Sequence, residues 1–161
     1  MRNRKVIWVV AAFVILLPIV TLAILSFLSS PPVNLGVADG QLAPCPDKPN
    51  CVSTQSHGER LAIRPLLFDG DREQTIAHLK TIINSLPRST IVSETPNYIH
   101  AEFRSLVFRF VDDVEFYVDD ESKVIHFRSA SRVGHSDLGV NRARMEQIRK
   151  AFEGQSDLES R

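Results

Sequence analysis

Val107-Phe108-Arg109-Phe110-Val111-Asp112-Asp113-Val114-Glu115-Phe116-Tyr117-Val118, then Asp119-Asp120-Glu121-Ser122, then Val124-Ile125-His126-Phe127-Arg128-Ser129-Ala130-Ser131: this stretch decides the fold. From Val107 to Val118 the even positions Phe108, Phe110, Val114, Phe116 and Val118 are apolar, interrupted only by Asp112. That period of two marks a strand with one buried face. The acidic run is a turn, and Ile125 and Phe127 face inward on the next strand. Upstream, Tyr98 to Phe103 alternates in the same way, with Ile99, Ala101 and Phe103 on one face, and Pro96-Asn97 turns the chain back to Thr90-Ile91-Val92-Ser93. Further out the period changes. Ile76, Leu79, Ile82, Ile83 and Leu86 recur at helical spacing over Thr75 to Leu86, with Asp69 or Asp71 to cap the helix and Pro87 to end it. Leu138, Met145, Ile148 and Phe152 form the stripe of a second helix, starting at Ser136 or Asp137. Helix, four-strand antiparallel meander, helix, with one more possible strand at Leu61 to Phe68, gives an α+β domain of two layers: an antiparallel sheet of about four strands with two helices on one face.

The N-terminus is of another kind. Val6 to Leu28 contains no ionisable side chain over 23 residues, and Arg2, Arg4 and Lys5 precede it. As a helix it spans roughly 34 Å, enough to cross a ~30 Å hydrocarbon core. Pro18 predicts a kink, because a helix in lipid tolerates proline. The run is longer than the apolar part of a cleaved signal, about 7–15 residues, which favours a retained anchor. Positive charge stays on the cytoplasmic side, so the chain is expected to be single-pass in the inner membrane. Its N-terminus is cytoplasmic and the rest periplasmic or extracytoplasmic. The 161 residues balance at 19 Lys+Arg and 19 Asp+Glu, yet beyond Leu28 the count is 16 against 19, a charge of −3. A mildly acidic exported domain is no nucleic-acid binder. The resulting organisation is a cytoplasmic tag at 1–5, an anchor at 6–28, a Pro- and Gly-containing linker at 29–41, the α+β domain at 42–153 and a polar tail at 154–161.

The domain opens on Ala43-Pro44-Cys45-Pro46-Asp47-Lys48-Pro49-Asn50-Cys51. In an oxidising compartment Cys45 and Cys51 are expected to form a structural disulfide. The spacing is not the Cys-x-x-Cys of a redox pair, and a zinc site would lack a fourth ligand even with His57, so no metal and no cofactor is expected.

Chemistry points to one segment, Arg128 through Arg144, where the last strand gives way to the last helix. It holds four arginines, with Ser and Gly between, ahead of a helix N-terminus suited to an anion. Arg142 and Arg144 there run against the helix dipole. Candidate ligand-binding residues are Arg128, Ser131, Arg132, Ser136, Asn141 and Arg142. The competing expectation is a salt-bridge network in which arginines of this loop, with Arg104 and Arg109, pair with Asp112, Asp113 and Glu115 and simply hold the sheet and helix together. Ser131, His135 and Asp137 suggest a hydrolase for an envelope ester or phosphate, but neighbours in sequence point in different directions and no Gly-x-Ser-x-Gly elbow is present. Asp112, Asp113 and Glu115 make a poor cation site, because strand alternation divides them between faces. His78, His100 and His126 read as surface or packing residues. Binding of an anionic small molecule, lipid headgroup or envelope partner is thus favoured over catalysis, with a scaffold subunit of a membrane complex as a further possibility.

The cysteine segment with Val52-Ser53, the segment Phe103-Arg104-Ser105 with Phe108 to Glu115, and Arg128 to Gly134 with Asn141-Arg142 together resemble DUF1499, an uncharacterised family of bacteria and plant plastids. The resemblance covers roughly residues 42–153. It implies a domain that is often secreted or membrane-anchored, and it carries no activity, cofactor or catalytic residue.

Overall fold

A computed structural model describes residues 2–159. Helix α1 (Arg2–Phe27) passes through Pro18 without ending. Its stretch Lys5–Phe27, with a mean hydropathy of 2.8, is long and apolar enough to cross a membrane. Arg2 and Arg4, on which the orientation reading leans, lie where side chains are not described.

The rest follows as β1 (Val37–Ala38), β2 (Gln41–Leu42), β3 (Cys51–Ser53), β4 (Leu66–Leu67), α2 (Arg72–Ser85), β5 (Ser89–Thr95), β6 (Tyr98–Arg104), β7 (Val111–Asp119), β8 (Val124–Ser131) and α3 (Val140–Glu159). The fold is α+β. Strands β5 to β8 form the antiparallel meander, and the sheet reaches six strands because β3 and β4 both pair with β8 along its outer edge. β1 and β2 make a separate two-stranded ribbon in what the sequence reads as the end of the linker. Such short strands carry too few residues to show a period.

Alternation sorts the sheet's two faces. Ile99, Ala101 and Phe103 on β6, Val114, Phe116 and Val118 on β7, and Ile125 and Phe127 on β8 meet Leu79, Ile82 and Ile83 of α2 and Met145, Ile148 and Phe152 of α3 in one core. Asp71 caps α2 through its side chain, which accepts the N–H groups of Glu73 and Gln74. His78 stacks on Phe152, with ring centroids 4.8 Å apart, so it packs between the helices.

Two expectations are corrected. The third meander strand starts at Val111, not Val107, because its partner β6 ends at Arg104 opposite Val111 and leaves residues 107–110 without a ladder. Residues 105–110 instead form a tight loop, closed by Ser105 N–H to Phe110 O (2.8 Å) and Phe110 N–H to Ser105 Oγ (2.9 Å), with Arg109 left-handed at φ 58°. Phe108 and Phe110 imitate strand periodicity outside any strand. Leu138 precedes α3 and stands in solvent, so the stripe of that helix begins at Met145. The helix also runs on to Glu159, past the boundary assigned to the polar tail, since nothing between 154 and 159 breaks it; Ser160 and Arg161 lie outside the described residues.

The face away from the helices is buried too. The Gly36 N–H reaches Glu115 Oε1 at 2.8 Å, and Gln55 ties the ribbon down by accepting from Leu42 N–H and donating to Gly40 O. The Cys45–Cys51 disulfide anchors this covering segment to β3.

Candidate functional site

Along β6 the residues opposite the core are Tyr98, His100, Glu102 and Arg104. Along β7 they are Asp113 and Glu115, and β8 adds Arg128 with Arg132 just beyond its end. A sheet face built of such residues, once covered, has to satisfy every charge internally. Glu115 is 0% exposed. Its Oε1 accepts from Tyr98 Oη (2.8 Å) and Gly36 N–H, and its Oε2 from Arg128 Nη1 (3.0 Å). Asp113 receives the Arg132 fork at 2.8 and 2.7 Å, with His100 Nε2 at 2.8 Å. Glu102 bridges Arg132 (2.5 Å) and Arg104 (2.6 Å). Three carboxylates meet three guanidiniums. Burial pushes the Asp113 carboxyl up, but the hydrogen bonds from Arg132 and His100 outweigh it and hold the group below its ordinary value. Bonding to Asp113 raises Arg132 in turn, against the opposing effect of burial. Burial, then the neighbouring Glu115 charge, drives the Tyr98 phenol upward, so it serves only as a donor.

The core face ends in a second polar cluster. Ser131 Oγ donates to Asp112 Oδ1 (2.5 Å), and Arg144 Nη2 to Asp112 Oδ2 (2.6 Å). Asn141, fully buried at the start of α3, uses both ends of its amide. Its Oδ1 accepts from Ser129 Oγ and Arg144 Nη1, and its Nδ2 donates to Asn50 O and Ser131 Oγ. Arg144 looked misplaced against the helix dipole; its partner Asp112 is the reason it is there.

The sequence candidates therefore separate. Arg128 and Arg132 belong to the buried network of the outer face, and Ser131 and Asn141 to the cluster on the core face. Arg142 donates to the carbonyls of Arg60 and Ala62, with no carboxylate among its bonds. Ser136 Oγ accepts the Leu138 N–H, and Asp137 caps α3, its carboxylate accepting from Gly139 and Asn141 N–H. The N–H groups that an anion would have used are thus filled by the chain's own aspartate. Ser131, His135 and Asp137 make no hydrogen bond to one another; the serine hydroxyl is turned to Asp112, and His135 stands in solvent. Of the expected network, Asp112, Asp113, Glu115 and Arg104 are paired, but Arg109 joins none of these ion pairs because it sits exposed in the 105–110 loop. Glu102, Tyr98 and Asn50 carry no expectation from the sequence, and His100, read there as a surface or packing residue, is instead a buried polar partner of Asp113. Tyr98, His100 and Glu102 stand two apart on one strand, a polar stripe that is visible in the sequence, but nothing local says that it is covered.

A recess lies where this outer face meets the end of α1. It holds about 570 Å³ between Ser26 in the last turn of α1, Ser29 just after the helix, Phe108 and Arg109 of the loop, and Arg104 and Arg132 of the network. Ser26 is buried and its hydroxyl has no partner.

Comparison with known families finds one match, to a family described as "Protein of unknown function (DUF1499)", over residues 41–152. No curated protein and no solved structure matches the chain.

Proposed function

The chain belongs to the DUF1499 family of proteins of unknown function, and from that premise we propose a non-catalytic, membrane-tethered domain that binds the phosphodiester of an anionic lipid headgroup beside its own anchor. The observation that carries this reading is the recess at the end of α1, into which Arg104, Arg109 and Arg132 converge. Against them stand Glu102 and Asp113, so the local balance is one positive charge, suited to a single phosphodiester. Arginine forks match phosphate oxygens two at a time. The unpaired Ser26 hydroxyl offers a further donor at the rim. Within the stretch 128–144 it is Arg132 that lines the recess, itself paired with Asp113 and Glu102, while Arg128, Arg142 and Arg144 hold partners elsewhere. The domain then stands on the outer side of the membrane, as the basic residues before the span favour.

The test uses the full chain in nanodiscs of phosphatidylcholine with and without phosphatidylglycerol. Anionic lipid should raise the melting temperature of the domain, and Arg109→Gln, which breaks none of the internal ion pairs, should cut the rise while leaving the melt in neutral discs nearly unchanged. Soluble glycerophosphate should give a smaller rise or none. A melting temperature indifferent to headgroup charge removes the reading; a full response to glycerophosphate makes the ligand a free phosphate ester.

A further inference from the structure

The β6–β7 loop and its surroundings form an apolar cap on one end of the sheet, and their placement defines what covers them. Among the described residues of the domain from 36 onward, the exposed large apolar side chains are Leu67, Val92, Leu106, Val107, Leu138 and Val140. Four of these six share one end. Leu106 and Val107 follow the last residue of β6, while Leu138 and Val140 lie at the start of α3, beyond the last residue of β8. In an antiparallel meander those positions coincide, as Arg104 opposite Val111 and Asp112 opposite Ser131 show. Val107 and Phe108 also line the recess against Ser26 and Phe27, the residues with which α1 ends. The 23-residue stretch Lys5–Phe27, roughly 34 Å as a helix, brings Phe27 to the level at which a span leaves the hydrocarbon core. Whatever touches that level touches the interface.

We propose that Leu106, Val107 and Phe108 are a wedge that inserts into the outer-leaflet interface and seats the domain on the bilayer. This rests on the reading of α1 as a retained span, and it adds a second, apolar attachment beside the headgroup recess. The loop is built for the task. Its two closing hydrogen bonds between Ser105 and Phe110 leave little chain entropy to lose on insertion. The Phe108 and Phe110 rings lie against one another with centroids 5.5 Å apart. Arg88, Arg104 and Arg109 stand at the same end, where long stems can lie along lipid while the guanidiniums reach phosphate. A sequence of Leu and Val at 72% and 75% exposure is otherwise a liability for a soluble surface.

The experiment uses the oxidised full chain carrying Val107→Cys, labelled with an environment-sensitive fluorophore and reconstituted into phosphatidylcholine vesicles containing nitroxide-bearing lipid. Leu67→Cys is the control, equally exposed at 73% but paired with the opposite end of β8. The label at 107 should emit to the blue and be quenched several-fold more than the label at 67, in neutral as well as anionic vesicles. Equal, water-like emission at both positions overturns the wedge while leaving the headgroup reading to its own melting test. Shielding at 107 that lipid nitroxides do not quench, or that grows with protein-to-lipid ratio, also overturns it and assigns the cap to a second copy. Insertion in neutral vesicles with no headgroup effect on melting upholds the wedge and removes only the anion site.

Discussion

The Arg128–Glu115 pair sets up a sharp test of how the outer face is held. Both side chains are buried, and Glu115 carries three hydrogen bonds divided unequally between its oxygens: two donors on Oε1, and Arg128 alone on Oε2. Arg128→Met strands a carboxylate in the interior, which in general costs about 3–5 kcal/mol. Arg128 Nε has no partner in the native protein, so the same change removes one orphaned donor and moves the expected cost to the lower end, about 3 kcal/mol. For a domain of this size that is on the order of 10 °C in melting temperature. Glu115→Gln combined with Arg128→Met should recover about 1–2 kcal/mol of the loss. The glutamine Oε1 still accepts from Tyr98 and Gly36, no charge remains, and the residual deficit is about 1–2 kcal/mol for an unsatisfied amide N–H. Urea and thermal unfolding of the four members of the cycle, followed by circular dichroism in detergent, measures the coupling. A double variant that melts at or below Arg128→Met refutes the reasoning, because the cost then did not come from a stranded charge.

Replacing Cys45 and Cys51 with serine should destabilise the domain by roughly 2 kcal/mol, since a seven-residue ring is short and the prolines already restrict it; intact mass before and after reduction should differ by two hydrogens. Asn141→Ala leaves Asn50 O and the Ser129 and Ser131 hydroxyls short of partners, an expected loss of about 3 kcal/mol by chemical denaturation, and a neutral result would show that water replaces the amide. Asp71→Ala should cost about 1 kcal/mol by removing the cap of α2, read in the same melts. With pH, two losses are expected. The His126 imidazole is lowered by burial, against the pull of Asp119, so its contribution is present above the ordinary histidine value and declines as pH falls through it. Asp113 is also depressed, so its contribution holds above the ordinary carboxylate value and is lost as pH falls toward the lower folded one. His126→Asn should flatten the stability–pH curve near neutrality and Asp113→Asn should flatten it in acid; curves parallel to the native one would contradict both assignments.

Most of the architecture can be read along the chain wherever a long period exists. The α2 stripe, the β6 and β8 alternation and the apolar run of α1 each repeat often enough to identify themselves, and Asp71 and Pro87 mark where α2 begins and ends. Where the period misleads, the cause is tertiary. Phe108 and Phe110 continue the alternation of β7, yet no neighbouring strand extends far enough to pair with them. Two-residue strands such as β1, β2 and β4 exist only because another strand is there to accept them.

The arginine-rich stretch shows the same division more sharply. Its composition alone marks 128–144 as unusual, and the polar alternation of β6 and β7 places Asp112 on one face and Asp113 with Glu115 on the other. Which guanidinium meets which carboxylate is a matter of side chains up to 32 positions apart, as in Arg144 with Asp112, and no local rule sets that distance. Sequence by itself determined an apolar N-terminal helix long enough to cross a membrane, a disulfide-bearing loop and an α+β order of elements, because helix and strand periods and turn residues are local properties of the chain. Only the tertiary structure decided that the outer face of the sheet is covered, that most of the arginines of the 128–144 stretch are spent on internal partners, and that an apolar loop with Arg104 and Arg109 lies at the end of α1, because burial and ion pairing depend on what the fold brings near.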